Sequence, residues 1–280
     1  MLDKKWMDKI VRGALEEDRA RLDVTSRLLV NEKTAARAVI LAKQKICVCG
    51  LAVAATVFKK LDPQIKIKFF VADGQVAASG QKLMEISGRA RAILAAERSA
   101  LNFMQHLSGI ATLAHQFVQE IKGSGARICD TRKTVPGLRE LEKYAAGCGG
   151  ATNHRLNLSD MVLVKDNHWK LLGAAPEKIL NLKKQMPRGM ILSIEVENDR
   201  QLSLALRAGA DIILLDNLSL AQLKKFIARI RKTAPRTSIE VSGNVRLASA
   251  RAIACLGTDR ISVGALTHSA PAADISLELL

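Results

Sequence analysis

Aromatic residues are scarce in this chain, with six Phe, two Trp and one Tyr making up 3% of 280 residues. Proteins that grip single-stranded nucleic acid stack bases on aromatic platforms, and the material for such a platform is thin here. Long apolar runs are missing too. The longest uncharged, apolar-leaning stretch, Ile46 to Phe58, contains Gly50 and Thr56. It falls short of the roughly 20 residues a membrane-crossing helix needs and reads as a buried strand running into a helix. The N-terminal stretch MLDKKWMDKIVRGALEED is charged throughout and has no apolar centre, so no secretory signal is read there. Five cysteines (47, 49, 129, 148 and 255) form no CxxC pair and no metal-type spacing. A reduced cytoplasmic protein is the expectation. Acidic residues are outnumbered, 27 against 43 basic, for a net charge of +16.

What is present is ordinary globular material, 48% apolar and 25% charged, enough for one large domain or two unequal ones. The positive surplus attracts anions, whether nucleic acid, acidic membranes or small phosphorylated substrates. One basic cluster has a plainer reading. Lys224, Lys225, Arg229, Arg231 and Lys232 interleave with Leu220, Leu223, Phe226, Ile227 and Ile230 at helical spacing, as on the wet face of an amphipathic helix.

The two halves differ in rhythm. Residues 36–88 read as short strands, 36–42, 65–72 and 82–87, bounded by Gly74, Gly80 and Gly88. A helical stretch follows over 91–122, with an expected break near Ser108-Gly109. After residue 125, apolar runs recur, each ending in a polar or small residue: ARICDT, MVLVKD, MILSIEVE, DIILLDN, SIEVSG and RISVGA. Their ends at Asp130, Lys165, Glu195, Asp216, Ser242 and Gly264 are 21–35 residues apart, the length of a strand–helix unit in a parallel sheet. Six units in succession predict an α/β barrel behind a smaller α+β domain, with chemistry at the strand C-termini.

Those ends carry a pattern. Ser242-Gly243-Asn244 and Ser262-Val263-Gly264-Ala265 close the final two units, where barrel loops commonly hold a phosphate on backbone N–H groups. Arg132, Lys133, His154, Arg155 and Lys165 fall at or just past strand ends, across from Glu195 and Asp216. Cations converging on one mouth, with two carboxylates opposite, suit an anionic substrate plus a divalent metal. His106 and His115 read as structural, His168 as a hydrogen-bonding support for Lys165, and Cys129 and Cys148 as small buried residues. No Ser-His-Asp or Cys-His nucleophile arrangement emerges.

Taken together, ERSALNFMQHLSGIAT (97–112), DTRKTVPGLRELEKYA (130–145), NHRLNLSD (153–160), KDNH (165–168), ADIILLDN (210–217), EVSGN (240–244) and SVGALTHS (262–269) closely resemble the quinolinate phosphoribosyltransferase family. EEDRARLDVTS (16–26) fits as well, so the resemblance spans nearly the whole chain. It implies an N-terminal α/β sandwich domain over 1–110, an open seven-stranded α/β barrel over 111–267, and residues 268–280 packing back on the first domain. It implies conversion of quinolinate and phosphoribosyl pyrophosphate to nicotinate mononucleotide, pyrophosphate and CO2 in NAD biosynthesis, with Mg2+ or Mn2+ as cofactor. Carried over by motif, Thr131, Arg132, His154, Arg155 and Lys165 hold quinolinate, and Lys133 lies between quinolinate and the pyrophosphate. Glu195 and Asp216 bind the ribose hydroxyls and the metal. Ser242, Gly243, Asn244, Gly264 and Ala265 cradle the 5′-phosphate. Arg98 reaches the active site of a neighbouring subunit in a homodimer or larger assembly.

Three departures from the family pattern stand out. Ala151 follows Gly149-Gly150 where a third glycine is usual, Ser193 stands where glutamate is common, and Arg19, Arg21 and Leu22 occupy positions where glycines are common. A paralogous family associated with molybdate transport shares part of the TRK-x-PG motif but typically lacks the counterparts of Lys165 and Asn153, both present here. A basic nucleic-acid-binding protein on an enzyme fold is the other rival, disfavoured by the scarce aromatics. Neither nucleic acid nor membrane is expected as a partner.

Overall fold

Apolar runs that end in polar residues make buried strands only if both faces of the sheet are covered, and crossover helices provide that cover. The computed structural model describes residues 3–173 and 175–280. In chain order its helices are α1 (Lys4–Glu17), α2 (Val24–Leu29), α3 (Leu51–Leu61), α4 (Ala90–Glu120), α5 (Arg139–Cys148), α6 (Asp166–Leu172), α7 (Leu182–Gln185), α8 (Asp199–Arg207), α9 (Leu220–Thr233), α10 (Leu247–Ala254) and α11 (Ala265–His268). Its strands are β1 (Ala35–Ala42), β2 (Ile46–Cys47), β3 (Lys66–Phe69), β4 (Val76–Ala77), β5 (Lys82–Arg89), β6 (Arg127–Cys129), β7 (Val162–Val164), β8 (Leu192–Val196), β9 (Ile212–Asp216), β10 (Ser238–Ser242), β11 (Arg260–Ser262) and β12 (Ile275–Leu279). The chain divides into two compact units. One holds residues up to 115 together with 135–150 and 266–280; the other holds 116–134 and 151–265.

In the first unit a four-stranded antiparallel sheet runs β12-β1-β5-β3. Its central strand β1 buries Ala38, Val39, Ile40 and Ala42, and α3 adds Val53, Ala54, Val57 and Phe58 to the core. Helix α4 runs unbroken through Ser108-Gly109, so the expected break is absent. Gly109 serves a close approach instead: a Cβ there would lie 2.1 Å from the Pro271 carbonyl oxygen. The Ser108 hydroxyl accepts from Cys49 N–H and donates to the Cys49 carbonyl oxygen, both at 3.0 Å. Helix α5 groups with this unit although its sequence lies inside the span read as barrel.

In the second unit all six apolar runs become parallel strands, in the order β6-β11-β10-β9-β8-β7. Beyond these six strands Thr152 makes an isolated parallel bridge to Cys129 on the free side of β6. Strands β8 and β9 are buried along almost their whole length, as the crossover helices require. The basic run 224–232 is the outer face of α9. Leu223, Phe226, Ile227 and Ile230 face inward, while Lys225 and Arg229 pair with Asp199 of α8 at 2.9 and 3.2 Å.

Ala151 keeps out of the left-handed region, which Gly150 occupies at φ 92°, so the alanine is accommodated. Arg19 takes φ 48°, a conformation glycine adopts freely and a side chain pays for. Among the described residues no helix is long and apolar enough to cross a membrane.

Candidate active site

Parallel strands all deliver their C-terminal residues to the same edge of a sheet. Asp130, Lys165, Glu195, Asp216 and Ser242 sit at or just past the ends of β6, β7, β8, β9 and β10. Register pairs Ser242 directly with Asp216. Of the residues read from the sequence, all but one lie in this second unit; Arg98 is exposed on α4 in the first.

The cationic part is a cavity of about 500 Å³ lined by Arg132, Arg155, Lys165 and His168, with Leu158, Met161 and Met190. Arg132 and Arg155 are close enough for repulsion to act between them. Burial first, and the Arg132 guanidinium second, make the charged form of Arg155 less favourable, although Nη1 donates to the Met161 carbonyl at 3.2 Å. The Nε of Arg132 is buried with no partner. Two adjacent guanidiniums, one with an idle buried donor, form a receptor for an anion that accepts in a fixed plane. Lys165 is exposed, and its backbone N–H donates to His168 Nδ1 at 2.9 Å, which caps the start of α6.

A buried polar network adjoins Arg155. The buried Asp130 accepts from the His154 backbone N–H at 2.7 Å. His154 Nδ1 accepts from Arg155 N–H at 2.8 Å, which leaves the ring proton on Nε2, 3.3 Å from Glu240. Glu240 is completely buried in β10 and also accepts from Ser262 Oγ at 2.5 Å and Arg260 Nε at 3.1 Å. Burial pushes its carboxyl up, but the His154, Ser262 and Arg260 contacts outweigh that and hold it below the ordinary value of 4.5. Both His154 nitrogens are thus engaged inside the protein. Lys133 is exposed one residue past Arg132, and its N–H donates to Thr131 Oγ1 at 3.1 Å.

The carboxylate part is larger than the sequence reading had it. Glu195, Glu197 and Asp216 bring one oxygen each within 4.8 Å of one another. Burial, then the Asp216 charge, push the Glu195 carboxyl up to about 7, with Lys165 pulling the other way. Three oxygens gathered this way suit a hard divalent cation, and a cation would relieve the repulsion. Trp169 Nε1 donates to the Glu195 carbonyl at 2.8 Å and fixes that strand end. Ser193, where a glutamate is common, is buried with an unpartnered hydroxyl. Glu197 stands two residues after Glu195, so strand alternation alone puts both on one face; that signal was available in MILSIEVE.

The two loops beyond β9 and β10 hold a cluster of left-handed residues: Asn217 at φ 52°, Gly243 at 91° and Asn244 at 49°. A Cβ on Gly243 would lie 2.4 Å from Asn217 Oδ1 and 2.5 Å from its backbone nitrogen. Asn217 Nδ2 donates to Asp216 Oδ2 at 2.6 Å, and Asn244 Nδ2 to Asn217 Oδ1 at 3.3 Å. Glu197, Asn217 and Glu240 are the functional-looking residues the sequence reading did not single out. Gly264 and Ala265 follow β11, half-buried at the start of the short helix α11.

Comparison with known proteins agrees with this arrangement. The family described as quinolinate phosphoribosyl transferase, C-terminal domain, matches residues 110–278, and its N-terminal domain matches 23–108. A nicotinate-nucleotide pyrophosphorylase (carboxylating) from Mycobacterium leprae is 37% identical over 272 residues, covering 96% of this chain and 95% of that one. A probable enzyme of the same name from Methanocaldococcus jannaschii is 38% identical, covering 99% and 98%. The solved structure of the nicotinate-nucleotide pyrophosphorylase from Francisella tularensis superposes with a TM-score of 0.92 at 36% identity, covering 100% of this chain and 98% of that one.

Proposed function

Because the chain belongs to the quinolinate phosphoribosyltransferase family, we propose that it joins quinolinate to phosphoribosyl pyrophosphate, releasing pyrophosphate and CO2 and leaving nicotinate mononucleotide. The observation that carries this reading is the pairing of two centres on one sheet edge. A guanidinium pocket with a buried idle donor lies beside a carboxylate trio containing a strongly perturbed Glu195. The relatives are named as carboxylating nicotinate-nucleotide pyrophosphorylases, enzymes of a small-molecule reaction that joins or releases nicotinate nucleotide, pyrophosphate and CO2.

In this reading Arg132, Arg155 and Lys165 take the two carboxylates of quinolinate, with Thr131 closing the strand end. His154, held by Glu240, stiffens the wall behind the two arginines and reaches a substrate carboxylate only by loosening that hold. Lys133, exposed beside them, neutralises the pyrophosphate as charge builds on it. Glu195 and Asp216 accept from the ribose hydroxyls, and Ser242, Gly243, Asn244, Gly264 and Ala265 offer backbone N–H groups to the 5′-phosphate. Glu195 and Asp216, with Glu197 in reach, would hold Mg2+ or Mn2+, which would supply Lewis-acid stabilisation of the leaving pyrophosphate. The quinolinate nitrogen bonds to the ribose carbon that pyrophosphate leaves. As CO2 departs, the freed electron pair stays on the ring carbon beside the cationic nitrogen, which stabilises it, and that carbon then takes a proton from solvent. Firm binding of the departing carboxylate would oppose its loss, so one carboxylate is held less tightly than the other.

Arg98 completes the site from a neighbouring subunit, which makes a homodimer the smallest active form, and a cytoplasmic setting fits the reduced cysteines. Calorimetric titration tests the pocket. Quinolinate is expected to bind at least tenfold more tightly than nicotinate, and Arg132→Ala to abolish the difference. Equal affinity for the monocarboxylate would contradict the assignment.

A further inference from the structure

Cysteine spacing in the sequence gives no metal signature, yet the fold of the first unit gathers donors from three separate segments. Cys49 ends the segment after β2, Asp73 lies in the connection between β3 and β4, and Cys148 ends α5. One ligand atom from each lies within 4.8 Å of the others. Tyr144 and Cys148 are four residues apart on α5 and so share a face.

The cluster is built on a fixed frame. Cys49 has no exposed surface, and its N–H and carbonyl are both tied to the Ser108 hydroxyl. The Asp73 connection is stitched alongside by Gly74 N–H to the Val48 carbonyl and Val48 N–H to the Gln75 carbonyl, each at 2.8 Å. The Asp73 carboxylate is aimed by two donors: Leu51 N–H holds Oδ1 at 3.1 Å and the Tyr144 hydroxyl holds Oδ2 at 2.9 Å. Carboxylates that bind metals are oriented by outer hydrogen bonds of this kind. The neighbouring Cys47 thiol is turned toward the carbonyl oxygens of Gly74 and Cys148, at 3.6 and 3.7 Å, and braces both ligand-bearing segments.

We propose that Cys49, Cys148 and Asp73 form a binding site for a borderline-soft divalent cation of the Zn2+ class, with the Tyr144 hydroxyl fixing the carboxylate. Two sulphurs and one oxygen suit Zn2+, whereas the all-oxygen trio at the strand ends suits Mg2+ or Mn2+. Tetrahedral Zn2+ with bonds of about 2.3 Å to sulphur and about 2.1 Å to oxygen needs its donors about 3.5–3.8 Å apart, a contraction of at most about 1.3 Å from the present spacing. Binding replaces the thiol protons of Cys49 and Cys148, which leave to solvent, and ties three chain segments together. A bare dithiol switch would have no use for an oriented carboxylate.

Co2+ reports this site directly, because sulphur-to-cobalt charge transfer appears only when thiolates are ligands. Titrated into the reduced, chelator-treated full-length protein, one equivalent of Co2+ is expected to give that band, and Zn2+ to remove it. Cys49→Ala and Cys148→Ala should lose the band, Asp73→Asn should weaken binding at least tenfold, and Cys255→Ser should leave it unchanged. Circular dichroism of each variant separates lost ligation from lost folding, and Asp73→Asn keeps both thiols and the side-chain shape. Zn2+ should raise the melting temperature of the wild type and not that of Asp73→Asn. No charge-transfer band in the wild type, or a band unaffected by Asp73→Asn, overturns the proposal. Ready closure of a Cys49–Cys148 disulfide by peroxide, with no cation bound, would make the pair a redox device instead.

Discussion

At the scale of single residues, the chemistry rests on a few side chains whose surroundings make opposite demands. Lys165 is exposed and bears no core contact, so Lys165→Ala should leave folding untouched. It removes a cation from the pocket proposed for quinolinate and should lower kcat/KM by the equivalent of about 2–5 kcal/mol, checked by steady-state kinetics beside a melting curve. Glu240 works in the other direction. Its carboxyl is held below 4.5 in the folded protein, so its contribution to stability is present above that pH and is lost as pH falls through the lowered value. Acid denaturation of Glu240→Gln should therefore begin from a lower baseline and show a shallower acid limb. At neutral pH the variant should be less stable by roughly 3–5 kcal/mol, because Arg260 loses its counter-charge. Arg19 sits in the left-handed region at φ 48°, and Arg19→Gly should gain about 1 kcal/mol in denaturant titration.

Residue identities at the strand ends were legible because a parallel sheet exports the last residue of every strand to one edge. Glu240 was not, since a charge in mid-strand looks like any outward-facing residue until Ser262 and Arg260 from β11 are seen to close on it. The Cys49–Asp73–Cys148 grouping was invisible for a related reason: its members are far apart in sequence and meet only through tertiary packing.

At the scale of elements, periodicity did most of the work. Each of the six apolar runs became a strand, and the amphipathic pattern of 220–232 became α9 with Leu223, Phe226, Ile227 and Ile230 inward and Leu220, at its first turn, exposed. The exception is instructive. Ser108-Gly109 resembles a helix break, but α4 continues through it because a serine bonded to Cys49 and a glycine pressed on Pro271 are packing devices. Glycine to alanine inside a helix ordinarily gains about 1 kcal/mol. Gly109→Ala should instead destabilise by about 1–3 kcal/mol, because its Cβ would meet the Pro271 oxygen; a thermal or denaturant melt decides the sign. The assignment of α5 to the first unit also escaped the sequence, where its residues read as one more barrel helix.

At the scale of the whole molecule, the surplus of +16 is the feature composition announced first. On the proposed function part of it would draw anionic substrates to the strand ends, while the basic run on α9 is a solvated face paired with Asp199. Long-range attraction is screened within about 10 Å at 0.1 M salt, so kcat/KM for both substrates should fall as ionic strength rises while kcat stays nearly constant. Retention on heparin at physiological salt would point to the nucleic-acid alternative. Assembly is open to a mixing experiment: Arg98→Ala and Lys165→Ala chains, each nearly inactive, should partly restore activity as hybrids if Arg98 acts across subunits.

The most direct test of the central assignment is product formation from phosphoribosyl pyrophosphate and carboxyl-labelled quinolinate with Mg2+, run beside nicotinate as a competing base. Nicotinate mononucleotide and labelled CO2 in equal amounts, from quinolinate alone, are the predicted result. Turnover of nicotinate in preference to quinolinate, or silence with quinolinate from folded, metal-supplied protein, would contradict it.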